Sequence, residues 1–504
     1  MTQDARKPAR PRRLKRWLVR LGLALTVLVG VCALAVGGYL LHVRGAMEAS
    51  LPPLEGERAV SGIGAPVAIE RDGLGIPTIV GESRVDVAYG LGFAHGQDRF
   101  FQMDMLRKTA AGEIGQLLGE AAWAFDRRLR PLRFRARAER ALEESAPDVR
   151  RLVEAFAAGV NAGLASLEEP PFEYAALFAE PAPWRPEDGY LVLLALFAEL
   201  QDVEGRREDA VTQAYECLPP QMADFLIPIG TEWDAPLAGE GLAVPPIPPA
   251  DVYSLAPAAA GNQSSGSQEA RLAGSNAWVV APERTRDGAA LLANDVHMAM
   301  TVPNFWYRAA LEWTDEAGVP RWVAGVTLPG LPVVVVGSNG RVAWGVTNSA
   351  TDTTDLVLLE TDESAPGAYR TPDGPRRLET FPEVLEARGG GREELTVEWS
   401  VWGRLLEDDA QGRRRAIATT LDQPGAVNLE MLRLETAGTV EEALAVARTA
   451  GVPPQNFFVA GRDGRIGWTI LGRLPRRAGL DGRVAASWTD GTRGWQGLLP
   501  PEEV

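Results

Sequence analysis

The sequence predicts an α+β protein, helical in its first part and β-rich in its second, carried behind an apolar N-terminal segment. Three observations predict this. Residues 21–41, LGLALTVLVGVCALAVGGYLL, run without a charge. From about residue 85 to 215, apolar residues recur at helical spacing. After residue 275, apolar runs flank Asn-Gly and Asp-Gly pairs, the signal of β-hairpins.

A helix needs about 20 residues to cross a bilayer, and residues 21–41 supply them. Eight of the 51 Lys and Arg, but one of the 67 Asp and Glu, lie in residues 1–20. Such a basic flank stays cytoplasmic. Residues 21–41 therefore read as a transmembrane signal-anchor, or alternatively a cleaved signal peptide. The body is expected outside the cytoplasm, in the periplasm or at the cell exterior. The chain has a net charge of −16, and without its basic start the body is more acidic still. That balance repels phosphate and argues against nucleic-acid binding. Cys217 is the one cysteine of the body, which excludes an internal disulfide and a thiolate metal site there.

Within the body, residues 66–83 read as two short strands around Asp72-Gly73. Met103, Leu106, Ala110, Ile114 and Leu117 recur three to four apart, which predicts one amphipathic helix. Residues 141–167 and 186–201 predict further helices, so residues 55–242 are expected to be mostly helical. Residues 243–274 are rich in Pro, Ala, Gly, Ser and Gln, a composition that builds no core and reads as a spacer. Residues 275–504 are β-rich, with hairpins expected around Asp287-Gly288, Asn339-Gly340 and Asp463-Gly464.

The chemistry available is narrow. The body holds two histidines, His95 and His297; His42 borders the apolar run. There is no HExxH, P-loop or GxSxG motif. One nucleophile class needs no histidine. A Ser that becomes N-terminal after cleavage carries an α-amine with a pKa of about 7.7–8.0, low enough to act as base for its own hydroxyl. Ser275, after Gly274 at the end of the spacer, has this placement. Gly-Ser alone carries no such signal and reads first as a turn before a strand.

The surrounding residues carry more weight. GSNAW (Gly274–Trp278) resembles the start of the catalytic chain in the penicillin acylase family of N-terminal-nucleophile hydrolases, which includes acyl-homoserine-lactone acylases. GFAHGQDRFFQMDMLRKTAAGEIGQLLGE (Gly92–Glu120), NDVHM (Asn294–Met298), FWYRAAL (Phe305–Leu311), GVTLPGLPVVVVGSNGRVAWGVTNSATDTTDL (Gly325–Leu356), PPQNFFVAGRDGRIGW (Pro453–Trp468) and GWQGLLP (Gly494–Pro500) resemble its later landmarks in order.

The resemblance implies an αββα sandwich, two antiparallel sheets covered by helices. It implies autocatalytic cleavage between Gly274 and Ser275 into α and β chains that remain together as a heterodimer. Ser275 would attack an N-acyl amide of a β-lactam or an acyl-homoserine lactone. Asn456 and the backbone N–H of Asn348 would hold the oxyanion, and His297 would position the Ser275 amine. Asp352, Thr354 and Asp355, with Glu208 or else Glu204 from the helical part, would form a structural calcium site, a donor set that suits an oxygen-seeking cation. No organic cofactor is implied. Gln97, Asp98, Arg99 and Gln102 read as structural polar contacts. Family members continue for a few hundred residues beyond the point where this chain stops. The alternative is therefore a truncated or catalytically inactive membrane-anchored member with a binding or structural role.

Overall fold

The computed structural model describes residues 12–234, 240–253 and 274–504, with side chains from residue 16 onward. Part of the basic N-terminal run and residues 254–273 of the spacer lie outside them.

One helix, Arg12–Ala49, contains the apolar run. Within Arg16–Ala49, the most apolar 18-residue window has a mean hydropathy of 2.3 and no buried residue. By length and composition it is able to cross a membrane.

The helical region begins with Arg84–Ala111, capped by the Ser83 hydroxyl, which accepts the Asp86 N–H at 3.1 Å. The single helix expected through Leu117 ends sooner. Gly112 adopts φ 64°, a left-handed C-cap open to glycine, and Ile114 and Leu117 fall in and beside a separate turn of helix, Gly115–Leu118. Phe134–Glu144 and Pro147–Leu164 follow, separated where Pro147 starts the second. Asp188–Leu200 and Arg206–Cys217 complete the layer. Arg84–Ala111 packs along Pro147–Leu164.

The strands, in chain order, are β1 (Ala68–Arg71), β2 (Pro77–Val80), β3 (Ser275–Val280), β4 (Leu291–Val296), β5 (Tyr307–Thr314), β6 (Pro320–Thr327), β7 (Val334–Ser338), β8 (Val342–Asn348) and β9 (Thr354–Leu358). They continue with β10 (Glu379–Glu386), β11 (Arg392–Ser400), β12 (Gly403–Leu405), β13 (Arg415–Thr419), β14 (Gln455–Gly461), β15 (Ile466–Leu471), β16 (Pro475–Ala478), β17 (Ala486–Ser487) and β18 (Gly494–Leu498). An eight-stranded sheet has the order β1-β2-β5-β6-β7-β8-β14-β15, and a six-stranded sheet the order β10-β11-β12-β13-β9-β17. β3–β4 and β16–β18 are separate two-stranded ribbons.

The sheets differ from the expected pair of antiparallel layers. β2 and β5 run parallel, because the whole helical region crosses between them. β9 and β17 are also parallel. Helix Val440–Thr449 covers β14 and β15 on one face of the large sheet, and the β3–β4 ribbon lies on the other. Among the described residues, the layer on that second face is two strands wide.

His95 joins the helical region to this sheet. It is fully buried, 3.0 Å from the Thr327 hydroxyl, with its ring edge-on to Phe156 and Tyr307. Asp98 pairs with Arg71 and accepts from Tyr307, while Gln97 accepts from Arg71. Arg99 and Gln102 donate to the Asn304 carbonyl. These residues hold the frame and lie among structural contacts.

Candidate active site

Ser275 opens β3 and lies opposite Val296 of β4. Asn294 lies opposite Ala277, and facing residues in a ribbon share a side. The Asn294 side chain bonds to β8, so Ser275 and Ala277 face the large sheet, while Asn276 and Trp278 face outward.

The His297 backbone N–H donates to the Ser275 hydroxyl at 3.3 Å. Its imidazole Nε2 lies 3.0 Å from the Asp295 carboxylate and 3.4 Å from the Asn276 amide. A Cβ added to exposed Gly274 would meet His297 Nδ1 at 3.6 Å. Gly274, Ser275 and His297 are thus brought together. His297 addresses the Ser275 oxygen through its backbone, with its ring turned to the outward pair Asn276 and Asp295.

The large sheet supplies the other two residues. Asn456 of β14 lies opposite Thr347 of β8, and Phe458 lies opposite Gly345. A Cβ on Gly345 would meet the Asn294 side chain at 3.0 Å, which marks this as the ribbon face. A Cβ on Gly467 would meet Val440 of the covering helix at 2.8 Å, which marks the opposite face. Gly467 lies opposite Val459, so Phe457 and Val459 face the helix and Asn456 faces the ribbon. The Asn456 amide donates to Thr347 Oγ1 at 3.1 Å, and its oxygen accepts from Trp468 Nε1 at 3.3 Å.

Two contacts fix the ribbon's direction. β7 pairs with β8 at Ala343 and Trp344. Past that point the Asn294 side chain takes the edge, accepting the Val346 N–H and donating to the Val346 carbonyl, both at 2.9 Å. At the far end of β3, Pro282 lies 2.7 Å from where a Gly464 Cβ would stand, in the turn between β14 and β15. The Val280 end therefore lies toward that turn, and Ser275 lies toward the Asn348 and Asn456 end. Backbone N–H groups two residues apart in a strand emerge on the same side. Asn348 therefore aims its N–H to the side on which Asn294 meets Val346. Asn294, Gly345 and Thr347 are site-building residues that motif reading missed.

Asp352, Thr354 and Asp355 form a second constellation, with Glu208 reaching in from helix Arg206–Cys217. Glu208 accepts the Leu356 N–H at 2.7 Å, whereas Glu204 pairs with Arg128 and Arg206. Burial, then the charge of Asp355, pushes Glu208 up to about 9; burial against the pull of Arg477 raises Asp355 to about 6. The three loop donors converge on the Arg477 guanidinium. Its Nε lies 2.8 Å from Asp355 Oδ2, and its Nη2 lies 2.9 Å from Asp352 Oδ2 and 3.2 Å from the Thr354 carbonyl. Asp355 Oδ1 and Glu208 Oε1 are buried without a hydrogen-bond partner. Calcium takes six to eight oxygens at about 2.3–2.6 Å. Among the described residues, no three His, Cys, Asp or Glu side chains are arranged to hold a metal ion. The donor types suit calcium, but their geometry around a guanidinium does not.

Comparison with known proteins matches residues 66–504 to the penicillin amidase family model. An acyl-homoserine lactone acylase QuiP from Pseudomonas aeruginosa is 30% identical over 90% of this chain and 54% of its own length. A penicillin acylase 2 proenzyme from Pseudomonas sp. strain SE83 is 30% identical over 92% of this chain and 59% of its own. The chain thus spans little more than half the length of these curated relatives. A solved thermostable penicillin G acylase from Alcaligenes faecalis aligns with 45% of this chain and 40% of its own, at 26% identity and a TM-score of 0.40. With a family model covering nearly the whole body and relatives matching across it, the chain belongs to the penicillin amidase family.

Proposed function

We propose that this protein is a self-processing amidohydrolase whose nucleophile is Ser275. The observation that carries the reading is the placement of Ser275. It begins a strand, faces the large sheet, and lies toward the end that presents Asn456 and the Asn348 N–H. Family membership and a relative named as a proenzyme support it.

In this reading Ser275 Oγ attacks the Gly274 carbonyl, the Gly274–Ser275 C–N bond breaks to free the Ser275 α-amine and leave an ester, and water then hydrolyses that ester to give the Gly274 carboxylate and the free hydroxyl. That amine then takes the hydroxyl proton as Oγ attacks the carbonyl carbon of an N-acyl amide. The Asn456 amide and Asn348 N–H donate to the oxyanion; one such donor is worth about 2.7–4 kcal/mol in the transition state. The proton passes to the leaving amine, and water releases the acid from the acyl-Ser275 ester. Substrates are N-acyl compounds of the kinds named for the relatives, penicillins and acyl-homoserine lactones. The α and β chains stay associated, and the β3–β4 ribbon is the layer that carries Ser275 over the large sheet. Helix Arg12–Ala49 anchors the body outside the cytoplasm.

The test is Ser275→Ala in the full chain, read by intact mass and by acid released from a panel of N-acyl substrates. One uncut, inactive chain is expected. Cleavage between residues 274 and 275 in that variant overturns the mechanism.

A further inference from the structure

Three carboxyl groups, Asp352, Asp355 and Glu208, gather at the Asp352–Asp355 loop with the Thr354 carbonyl, yet a cation is already there. Arg477 of β16 lies 122 residues from Asp355 in sequence and enters the loop with its planar fork. Nε addresses Asp355 Oδ2, Nη2 addresses Asp352 Oδ2 and the Thr354 carbonyl, and both Nη atoms lie 3.3–3.4 Å from the Asp352 carbonyl. Asp355 Oδ2 also accepts from Trp495 Nε1 of β18.

We propose that Arg477 is the resident cation of the Asp352–Asp355 loop, and that this chain holds the loop without a divalent metal. A guanidinium presents five donors in a fixed plane, which matches two carboxylates and two carbonyls better than an ammonium does. A calcium ion bound to the same oxygens would stand against that guanidinium, and like charges at that range repel strongly. The two carboxylate oxygens left over, Glu208 Oε1 and Asp355 Oδ1, fall far short of calcium's coordination number. The space around Arg477 is also filled. A Cβ on Gly482, which has φ 76°, would stand 2.5 Å from Arg477 Nε and 2.7 Å from Asp355 Oδ1. Arg477 thus ties the β16–β18 ribbon to the loop and, through Asp355 and Leu356, to the Glu208 helix. This inference does not rest on the activity of Ser275.

The test is the thermal midpoint of the full chain in EDTA and in excess calcium chloride, with the metal content of the purified protein measured alongside. The native chain is expected to melt at the same temperature in both and to carry no stoichiometric calcium. A midpoint that falls in EDTA and returns with calcium, or one calcium per chain, overturns the proposal. Arg477→Ala is expected to lower the midpoint by several degrees; a midpoint equal to the native one also overturns it. Should that variant fail to fold, Arg477→Lys keeps the charge and loses the fork. It is expected to melt below the native chain and to ignore EDTA, and unfolding of this variant by EDTA again overturns the proposal.

Discussion

The helix pair Arg84–Ala111 and Pro147–Leu164 and the β3–β4 ribbon are held in opposite ways. The helices meet backbone to backbone. A Cβ on Gly92, Gly96, Gly159 or Gly163 would fall within 2.1 Å of a carbonyl oxygen on the facing helix. The intervening Leu91, Phe156 and Val160 are buried. The ribbon carries the candidate nucleophile, yet it is fastened by the Asn294 amide and the Pro282 contact, and its outer face leaves Trp278 54% exposed. A substitution in the frame should cost folding. One in the ribbon should cost geometry at Ser275.

The largest expected effect lies in the frame and is reached with acid. Burial lowers the His95 pKa from 6.5 to about 3, with the charge of Arg99 adding to the shift. The unfolded chain takes up a proton below pH 6.5 that the folded chain refuses until about pH 3. Stability is therefore full above 6.5 and falls as pH drops through that window, with a slope approaching about 1.4 kcal/mol per unit and a total on the order of 4–5 kcal/mol. Carboxylates add their own acid sensitivity, so the measurement is the difference in unfolding midpoint between native chain and His95→Gln from pH 7 to 4. The native chain should lose more. Parallel curves would remove His95 from the account.

Next comes Gly159→Ala. Its methyl would meet the Tyr89 carbonyl oxygen at 2.0 Å, so the helices must part. Overpacking of this kind costs about 1–3 kcal/mol or more, against a gain of about 1 kcal/mol from helix propensity. Chemical denaturation should show a net loss with m unchanged. A stabilised variant would mean the helices do not touch at this point.

These contacts show what sequence reading reaches. Periodicity located the helices, because the apolar stripe is a local property. It overran at Gly112, where a left-handed cap ends the first helix. The four-residue spacing of Gly92 and Gly96 was visible, but its meaning depends on Gly159 and Gly163, which lie more than 60 residues on. The same holds at the site. The strand starting at Ser275 was legible from its own residues. The bond from Asn294 to Val346 spans 52 residues, and that from Arg477 to Asp355 spans 122. Nothing local in the chain marks either pair.

In the ribbon, Asn294→Ala should leave the Val346 N–H and carbonyl unpaired on the β8 edge. An unsatisfied group costs about 1–3 kcal/mol. Under the proposed function the loss of turnover should exceed the loss of stability, because the amide sets where Ser275 stands relative to Asn348 and Asn456. Rate and thermal midpoint measured on the same preparation decide it. A fall in midpoint with turnover intact would place the Asn294 contact outside the site.

The smallest effect is expected at Trp278→Ala. Trp278 occupies the outer face of β3, opposite Ala293, and turns away from the sheet that Ser275 faces. Substitutions at such surface positions stay within about 0.5 kcal/mol. Burying a large aromatic side chain and then truncating it costs about 3–5 kcal/mol. Denaturant midpoints of the Trp278→Ala chain therefore separate an open face from a covered one by a wide margin. A loss near the upper range would mean that further polypeptide packs on the ribbon. The contrast between a sealed frame and an open ribbon would then give way to two sealed layers with Ser275 between them.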